Sequence, residues 1–352
     1  MRTFDYSFLK KENIPSSIVG ILLAIEKINA GGDLLRQAYP NVFMNLEDIA
    51  RVQSVKASNA IEGIVSTDKR IEEIVHQKTE PINHDEKEIA GYRDVLNRIH
   101  LHAMDDQFRE TTIFDYHRMM LAPAGLPFRG QYKETDNVIM QVNAQGERSI
   151  RFQPLSARET PKGMEQLVLA YLEGSQDSEI NRLLLIPSVI LDFLCIHPFI
   201  DGNGRMSRLL SLFLLYQSHY GIGKYISFEQ QINLHKGEYY ESLRVSSLNW
   251  LSGKNDYYPF IEYFLTTLLS CYEELDRRFS VMKGKKLNKK RRVEETIYQS
   301  ISPISKEQIH ALFPDISIET IQKTLAALLK EEKIVKIGTF RDAKYLKKEN
   351  KH

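Results

Sequence analysis

The residues best able to do chemistry lie in one dense block, His197-Pro198-Phe199-Ile200-Asp201-Gly202-Asn203-Gly204-Arg205-Met206-Ser207-Arg208. His197 can take a proton from an incoming hydroxyl. Asp201 offers a hard oxygen suited to Mg²⁺. Gly202 and Gly204 let the backbone turn sharply and come close to a ligand. Arg205 and Arg208 stand on neighbouring faces of one helical turn, and their guanidinium groups match phosphate oxygens. Singly, these are a turn, a helix end and two solvated arginines. Together, a base, a cation ligand and a phosphate cradle describe a nucleotidyl- or phosphoryl-transfer site.

Two helices must hold the block. An apolar run from Leu183 to Ile196 precedes it and another, Leu209 to Tyr220, follows. The free N–H groups and dipole at the start of the second helix form an anion site. The block resembles the signature of the Fic family, His-x-Phe-x-Asp/Glu-Gly-Asn-Gly-Arg-x-x-Arg, at every specified position. That resemblance implies a mainly α fold: a helical Fic-type core with a small β-hairpin flap. It implies a protein adenylyltransferase, a nucleotidyltransferase that moves AMP from ATP to a Tyr, Thr or Ser hydroxyl of a target protein or of itself. His197 is then the base and Asp201 the Mg²⁺ ligand. Asn203 with the backbone of Gly202 and Gly204 stabilises the transferred phosphate, and Arg205 and Arg208 clamp the outer phosphates. Related cores transfer the γ-phosphate as kinases or use another nucleotide-linked donor. A DNA-binding regulator whose Fic core is only a ligand sensor is a further alternative.

Leu46, Ile49, Ala50, Val52, Gln53 and Ala57 predict a helix from Asn45 that ends at Gly63, a suitable C-terminal glycine. Inside it, Ser58 and Glu62 are four apart and share a face. Alone, this is a helix end with a polar edge. Beside a Fic core, Ser58-Asn59-Ala60-Ile61-Glu62-Gly63 resembles the family's inhibitory motif, in which the Glu engages an Arg of the nucleotide site. A carboxylate on Arg208 would withhold the guanidinium from ATP, implying autoinhibition in cis.

Val138-Ile139-Met140 and Ile150-Arg151-Phe152 flank Asn143-Ala144-Gln145-Gly146, a hairpin signal. Either it is a surface hairpin or, as the resemblance implies, the flap whose edge pairs with the target backbone. Tyr239-Tyr240 resembles the part of the family that lines the adenine pocket, with Tyr240 able to stack on a base. Ser247 stands where some relatives carry an Asn. Core tyrosines are the alternative.

A chain of 352 residues with 42% hydrophobic and 26% charged residues suits a globular protein of two or three domains, and a net charge of +1 excludes a general polyanion binder. No signal peptide or membrane-length apolar run is visible, and Cys195 and Cys271 sit in apolar helical patterns, so the expectation is a cytoplasmic protein with buried thiols and no membrane partner. Ser16 or Ser17 is expected to cap a helix through Asn29, with another over Leu34 to Tyr39 broken at Pro40. The basic stretch Lys283 to Arg292 reads as a linker. Beyond it, three helix candidates and a β-wing resemble a winged helix-turn-helix. Many such domains dock protein rather than DNA, and the third helix has few side chains suited to base edges. The expected division is 1–110, an N-terminal helical region; 111–282, the catalytic core; and 283–352, linker and winged helix. The expected partners are a hydroxyl-bearing target protein, the chain itself, a second copy as a homodimer, and, as the lesser alternative, DNA.

Overall fold

The computed structural model describes residues 3–11, 13–32, 36, 39–142, 148–283, 288–300, 303–339 and 343–348. The molecule is mainly α. The N-terminal region contributes α1 (Phe8–Lys11), α2 (Ser16–Asn29), α3 (Pro40–Ile61), α4 (Asp68–Val75) and α5 (His84–His102). α6 (Glu110–Leu121) leads into an antiparallel hairpin, β1 (Ile139–Val142) and β2 (Arg148–Phe152). Then come α7 (Thr160–Gln176), α8 (Arg182–Ile196), α9 (Asn203–Gln217), α10 (Phe228–Leu234), α11 (Lys236–Ser246) and α12 (Tyr258–Lys283).

α8 is the centre of the core. Every residue from Leu183 to Ile196 is buried, which suits a helix that is apolar all round. Asn181 caps its start by accepting from the Leu183 N–H at 2.8 Å. Beyond Arg182 at its start, one charge lies inside it, and it is fully used. Asp192 accepts hydrogen bonds from Tyr6 at 2.8 Å, Trp250 at 2.6 Å and Tyr257 at 2.9 Å. Three donors from three segments satisfy a buried carboxylate and tie the N-terminal segment to the region before α12. α7, α9 and α12 pack around α8, so the loop between α8 and α9 is held from several sides.

The C-terminal unit consists of α13 (Lys289–Gln299), β3 (Ile304–Ser305), α14 (Lys306–Leu312), α15 (Ile318–Lys330), β4 (Ile334–Ile337) and β5 (Lys344–Lys347). Its sheet is antiparallel in the order β3, β5, β4. α14 packs on the N-terminal half of α3, where Asn45 Nδ2 donates to the Ala311 carbonyl at 2.7 Å.

Several expectations change. Pro40 opens α3 instead of ending a helix, because a proline at the first helical position gives up no hydrogen bond. Most of the helix expected over 34–39 lies outside the described residues, as does the hairpin turn at 143–146. Pro15 precedes α2 without a side-chain cap from either serine. Part of the expected linker is helical: Asn288 caps α13 by accepting from the Arg291 N–H at 2.9 Å. β3 is too short to leave a periodic signal. No helix among the described residues is long and apolar enough to cross a membrane.

Candidate active site

The loop from His197 to Gly202 joins α8 to α9 and is stitched from within. Asn203 Oδ1 accepts from the Phe199 N–H at 3.0 Å, and Asn203 Nδ2 donates to the Phe199 carbonyl at 2.8 Å. The Asn203 oxygen and one of its two amide N–H donors thus hold the loop, so Asn203 shapes the cradle. Gly202 has φ 82°, and a Cβ there would meet Met120 Cε at 2.7 Å.

A second histidine, missed in the sequence, supports the loop from α6. His117 stacks on Phe199 with ring centroids 3.7 Å apart. The Gly130 N–H donates to His117 Nδ1 at 2.8 Å, so the proton sits on Nε2, which donates to the Asp201 carbonyl at 3.0 Å. Burial lowers the His117 pKa to about 4, keeping it in this neutral form.

His197 caps α8 in a left-handed conformation, φ 51° and ψ 62°. That geometry turns its side chain away from the helix and into the pocket. Its Nδ1 lies 3.3 Å from the Leu194 carbonyl, which places the proton there and leaves the Nε2 lone pair free. Burial lowers its pKa to about 4, and Lys133 adds to the effect, while the Leu194 carbonyl, Glu62 and Asp201 oppose it. A neutral imidazole with an open acceptor can take a proton.

Arg208 is 2% exposed and reaches across to α3. Its Nε donates to Ser58 Oγ at 2.8 Å, and its Nη2 donates to the Ser58 carbonyl at 2.9 Å and to Glu62 Oε1 at 2.8 Å. Nη1 is buried with no hydrogen-bond partner among the described residues, a costly state for a charged donor that an anion would relieve. Burial works against the Glu62 charge, but Arg208, with Arg205 and Lys236, holds its carboxyl below the usual range. The carboxylate also lies against the start of α9, where the free N–H groups favour an anion. Gly63, at φ 82°, ends the segment, and its N–H donates to the Ala60 carbonyl at 3.1 Å.

Arg205 does not join Arg208. It is 1% exposed, with Nη1 2.5 Å from Glu88 Oε2 and Nη2 3.3 Å from Asp201 Oδ2. The outer-phosphate clamp expected of it is not seen here: its charge is engaged by two carboxylates. It orients Asp201 instead. The Gly202 N–H donates to the other Asp201 oxygen at 2.6 Å, and the Asp201 side chain remains 52% exposed. An exposed, braced carboxylate fits Mg²⁺, which needs only one or two protein carboxylates beside substrate phosphates. No group of three or more metal-ligating side chains occurs among the described residues.

A cavity of about 580 Å³ brings Glu62, Val138, Ile139, Met140, His197, Gly204, Arg208, Tyr240 and Ser247 together. The hairpin forms one wall: Met140 pairs with Ile150, and Val138 and Met140 are partly exposed. The Tyr240 ring is not bare. The Arg151 guanidinium stands 5.0 Å from its centroid and the Lys236 ammonium 5.8 Å away. Stacking on this ring requires a cation to move or to share the aromatic face. Arg151 lies in the hairpin and Lys236 opens α11, so neither is signalled as a pocket residue by a motif. Lys236 also donates to the Ile61 carbonyl at 2.7 Å, closing off the end of α3.

A model of the Fic/DOC family matches residues 107–215. A Fido domain-containing protein of Dictyostelium discoideum is 40% identical over 94 residues, which is 27% of this chain and 62% of that relative's length. Among solved structures, a Fic family protein from Desulfovibrio desulfuricans G20 aligns over 97% of this chain and 98% of its own, with TM-score 0.62 and 18% identity. A Fic domain-containing signaling protein from Bacteroides thetaiotaomicron aligns over 73% of this chain and 94% of its own, with TM-score 0.57 and 22% identity. Fic-1 from C. elegans aligns over 76% of this chain and 73% of its own, with TM-score 0.55 and 18% identity. The last three similarities establish a shared fold. The family match, which spans the block from His197 to Arg208, places a Fic/DOC-family domain at residues 107–215.

Proposed function

We propose that the protein is an adenylyltransferase, moving AMP from ATP to a Tyr, Thr or Ser hydroxyl of a target protein, and that Glu62 holds it inactive. The observation that supports this most directly is the convergence of a neutral His197, the unpartnered Nη1 of Arg208 and the glycine-lined start of α9 in one cavity. In this reading the target strand pairs with the free edge of β1, placing its hydroxyl before His197. His197 Nε2 takes the hydroxyl proton as the oxygen bonds to the α-phosphorus. The bond from that phosphorus to the bridging oxygen breaks, and pyrophosphate leaves with the electron pair. Arg208 and the N–H groups of Gly202 and Gly204 neutralise phosphate charge. Asp201, fixed by Arg205, would hold Mg²⁺, whose contribution is to offset charge on the phosphates. The C-terminal unit is read as a winged helix that recruits the target.

Labelled ATP tests this. Retention of α-label on protein supports AMP transfer. Retention of γ-label instead would make the protein a kinase, and no label in a Glu62→Gly variant with Mg²⁺ would remove the transferase reading.

A further inference from the structure

We propose that Lys133 is the positioning residue of His197: it grips the backbone on both sides of the histidine and keeps a positive charge facing the imidazole. The inference rests on His197 acting as the base. Lys133 Nζ donates to the Ile196 carbonyl at 3.1 Å, while the Lys133 backbone N–H donates to the Pro198 carbonyl at 2.8 Å. These are the two residues that flank His197. Lys133 Nζ also donates to Asn137 Oδ1 at 2.9 Å, and Asn137 Nδ2 donates to the Phe199 carbonyl at 3.3 Å. One lysine and its partner therefore hold three carbonyls around a residue whose left-handed φ of 51° is unfavourable for a side chain with a Cβ.

A neutral donor could make single contacts of this kind. Lysine is the costlier choice, because Lys133 is 2% exposed and forms no ion pair among the described residues. Burial lowers its pKa to about 8, with Asp136 opposing. The ammonium disfavours protonation of His197, in the same direction as burial and against Glu62 on α3 and Asp201 on the loop. These are the charged groups that face the imidazole from the elements packed on it. The lysine thus does two things: it fixes where the imidazole points and helps keep it neutral. Asn137 also lies just before β1, so the same contacts anchor the base of the hairpin to the loop.

The test compares Lys133→Met, Lys133→Arg and Asn137→Ala, each in the Glu62→Gly background. It uses α-labelled ATP with Mg²⁺ and an NMR titration of the His197 ring in the full chain. Lys133→Met should lower kcat about 10- to 100-fold, the range expected when a reacting group shifts by about an ångström. Its His197 titration midpoint should rise. Lys133→Arg, which keeps the charge, should hold the midpoint and recover part of the rate. Asn137→Ala should lower kcat with the midpoint unchanged. A folded Lys133→Met protein with unchanged rate and unchanged midpoint would overturn the proposal, as would a lower rate with an unmoved midpoint. If the Glu62→Gly parent itself transfers nothing, the transferase reading fails, while the His197 midpoints still decide whether Lys133 acts on the ring.

Discussion

Glu62 lies directly against Gly204: a Cβ built on that glycine would come within 2.2 Å of Glu62 Oε1 and 3.0 Å of its Cδ. The second glycine of the loop therefore makes room for the carboxylate that also takes Arg208 Nη2. The position without a side chain at the start of α9 holds the chain's own anion, and in the proposed reaction a phosphate would take the same place.

Removing the carboxylate should release that position. Glu62→Gly is expected to raise AMP transfer, including self-modification, by about 10- to 100-fold, since a charge-assisted hydrogen bond contributes about 1.5–3 kcal/mol and 1.4 kcal/mol is one decade. Arg208→Ala in the same protein should cancel the gain. Label incorporation at saturating ATP and Mg²⁺ decides it, and equal activity in a folded Glu62→Gly variant would leave Ser58 to Gly63 as a helix end.

A methyl group at Gly204 should act on both occupants. In the Glu62→Gly background, Gly204→Ala is expected to reduce transfer at least about tenfold, through lost phosphate approach in a close-packed site. Nucleotide affinity measured by calorimetry should fall with it; affinity and rate both unchanged would show that phosphate does not use this space.

The histidine predictions separate chemistry from stability. His197→Ala should abolish transfer while nucleotide still binds, because Arg208 and the start of α9 remain. In the free protein the neutral base is lost only as pH falls through about 4, so the acid limb of kcat/KM should lie well below the ordinary histidine value near ~6.5. A limb centred near that ordinary value would show that His197 is not held neutral.

Buried His100 and His117 give a stability signature, with folded pKa values of about 3 and about 4. Below ~6.5 the unfolded chain binds protons that these folded residues refuse. Stability should therefore fall with pH from ~6.5 downward, by up to about 1.4 kcal/mol per pH unit for each histidine. Urea denaturation at a series of pH values reads the slope, and His117→Gln should make it shallower.

The hairpin should matter to the target more than to the nucleotide. Proline at Val138 or Ile139 removes a backbone donor from the strand edge. Modification of a protein target should drop while ATP affinity holds. Equal target turnover in both variants would exclude strand pairing there.

The sequence exposed those parts of the site that are contiguous. The block from His197 to Arg208 is one run of chain, and the Ser58 and Glu62 face follows from helical spacing alone. Partners brought in from elsewhere left no such trace. Nothing in the sequence around Arg205 signals that Glu88, 117 residues away, holds it. His117 and Lys133 resemble ordinary surface-capable residues, and only burial beside the loop gives them a role. Tyr240 suggested an open stacking face because nothing in the sequence places Arg151 over it. The helices were legible from their period, whereas their starts depended on residues such as the leading Pro40 and the cap Asn288, and β3 on pairing with a strand about forty residues later.

α3 has its own consequence. It is one unbroken helix, with Asn45 under the C-terminal unit and Ser58 beside Arg208. At 1.5 Å per residue the stretch from Asn45 to Glu62 measures about 25 Å, and each residue turns the axis by about 100°. The inhibition proposed for Glu62 would thus be a matter of angular phase. One residue gained or lost between Val52 and Ser58 would leave both ends free to fold yet swing Glu62, the cap of this helix, about a quarter-turn out of the cavity, so the proposed inhibition would depend on helix length as much as on the glutamate itself.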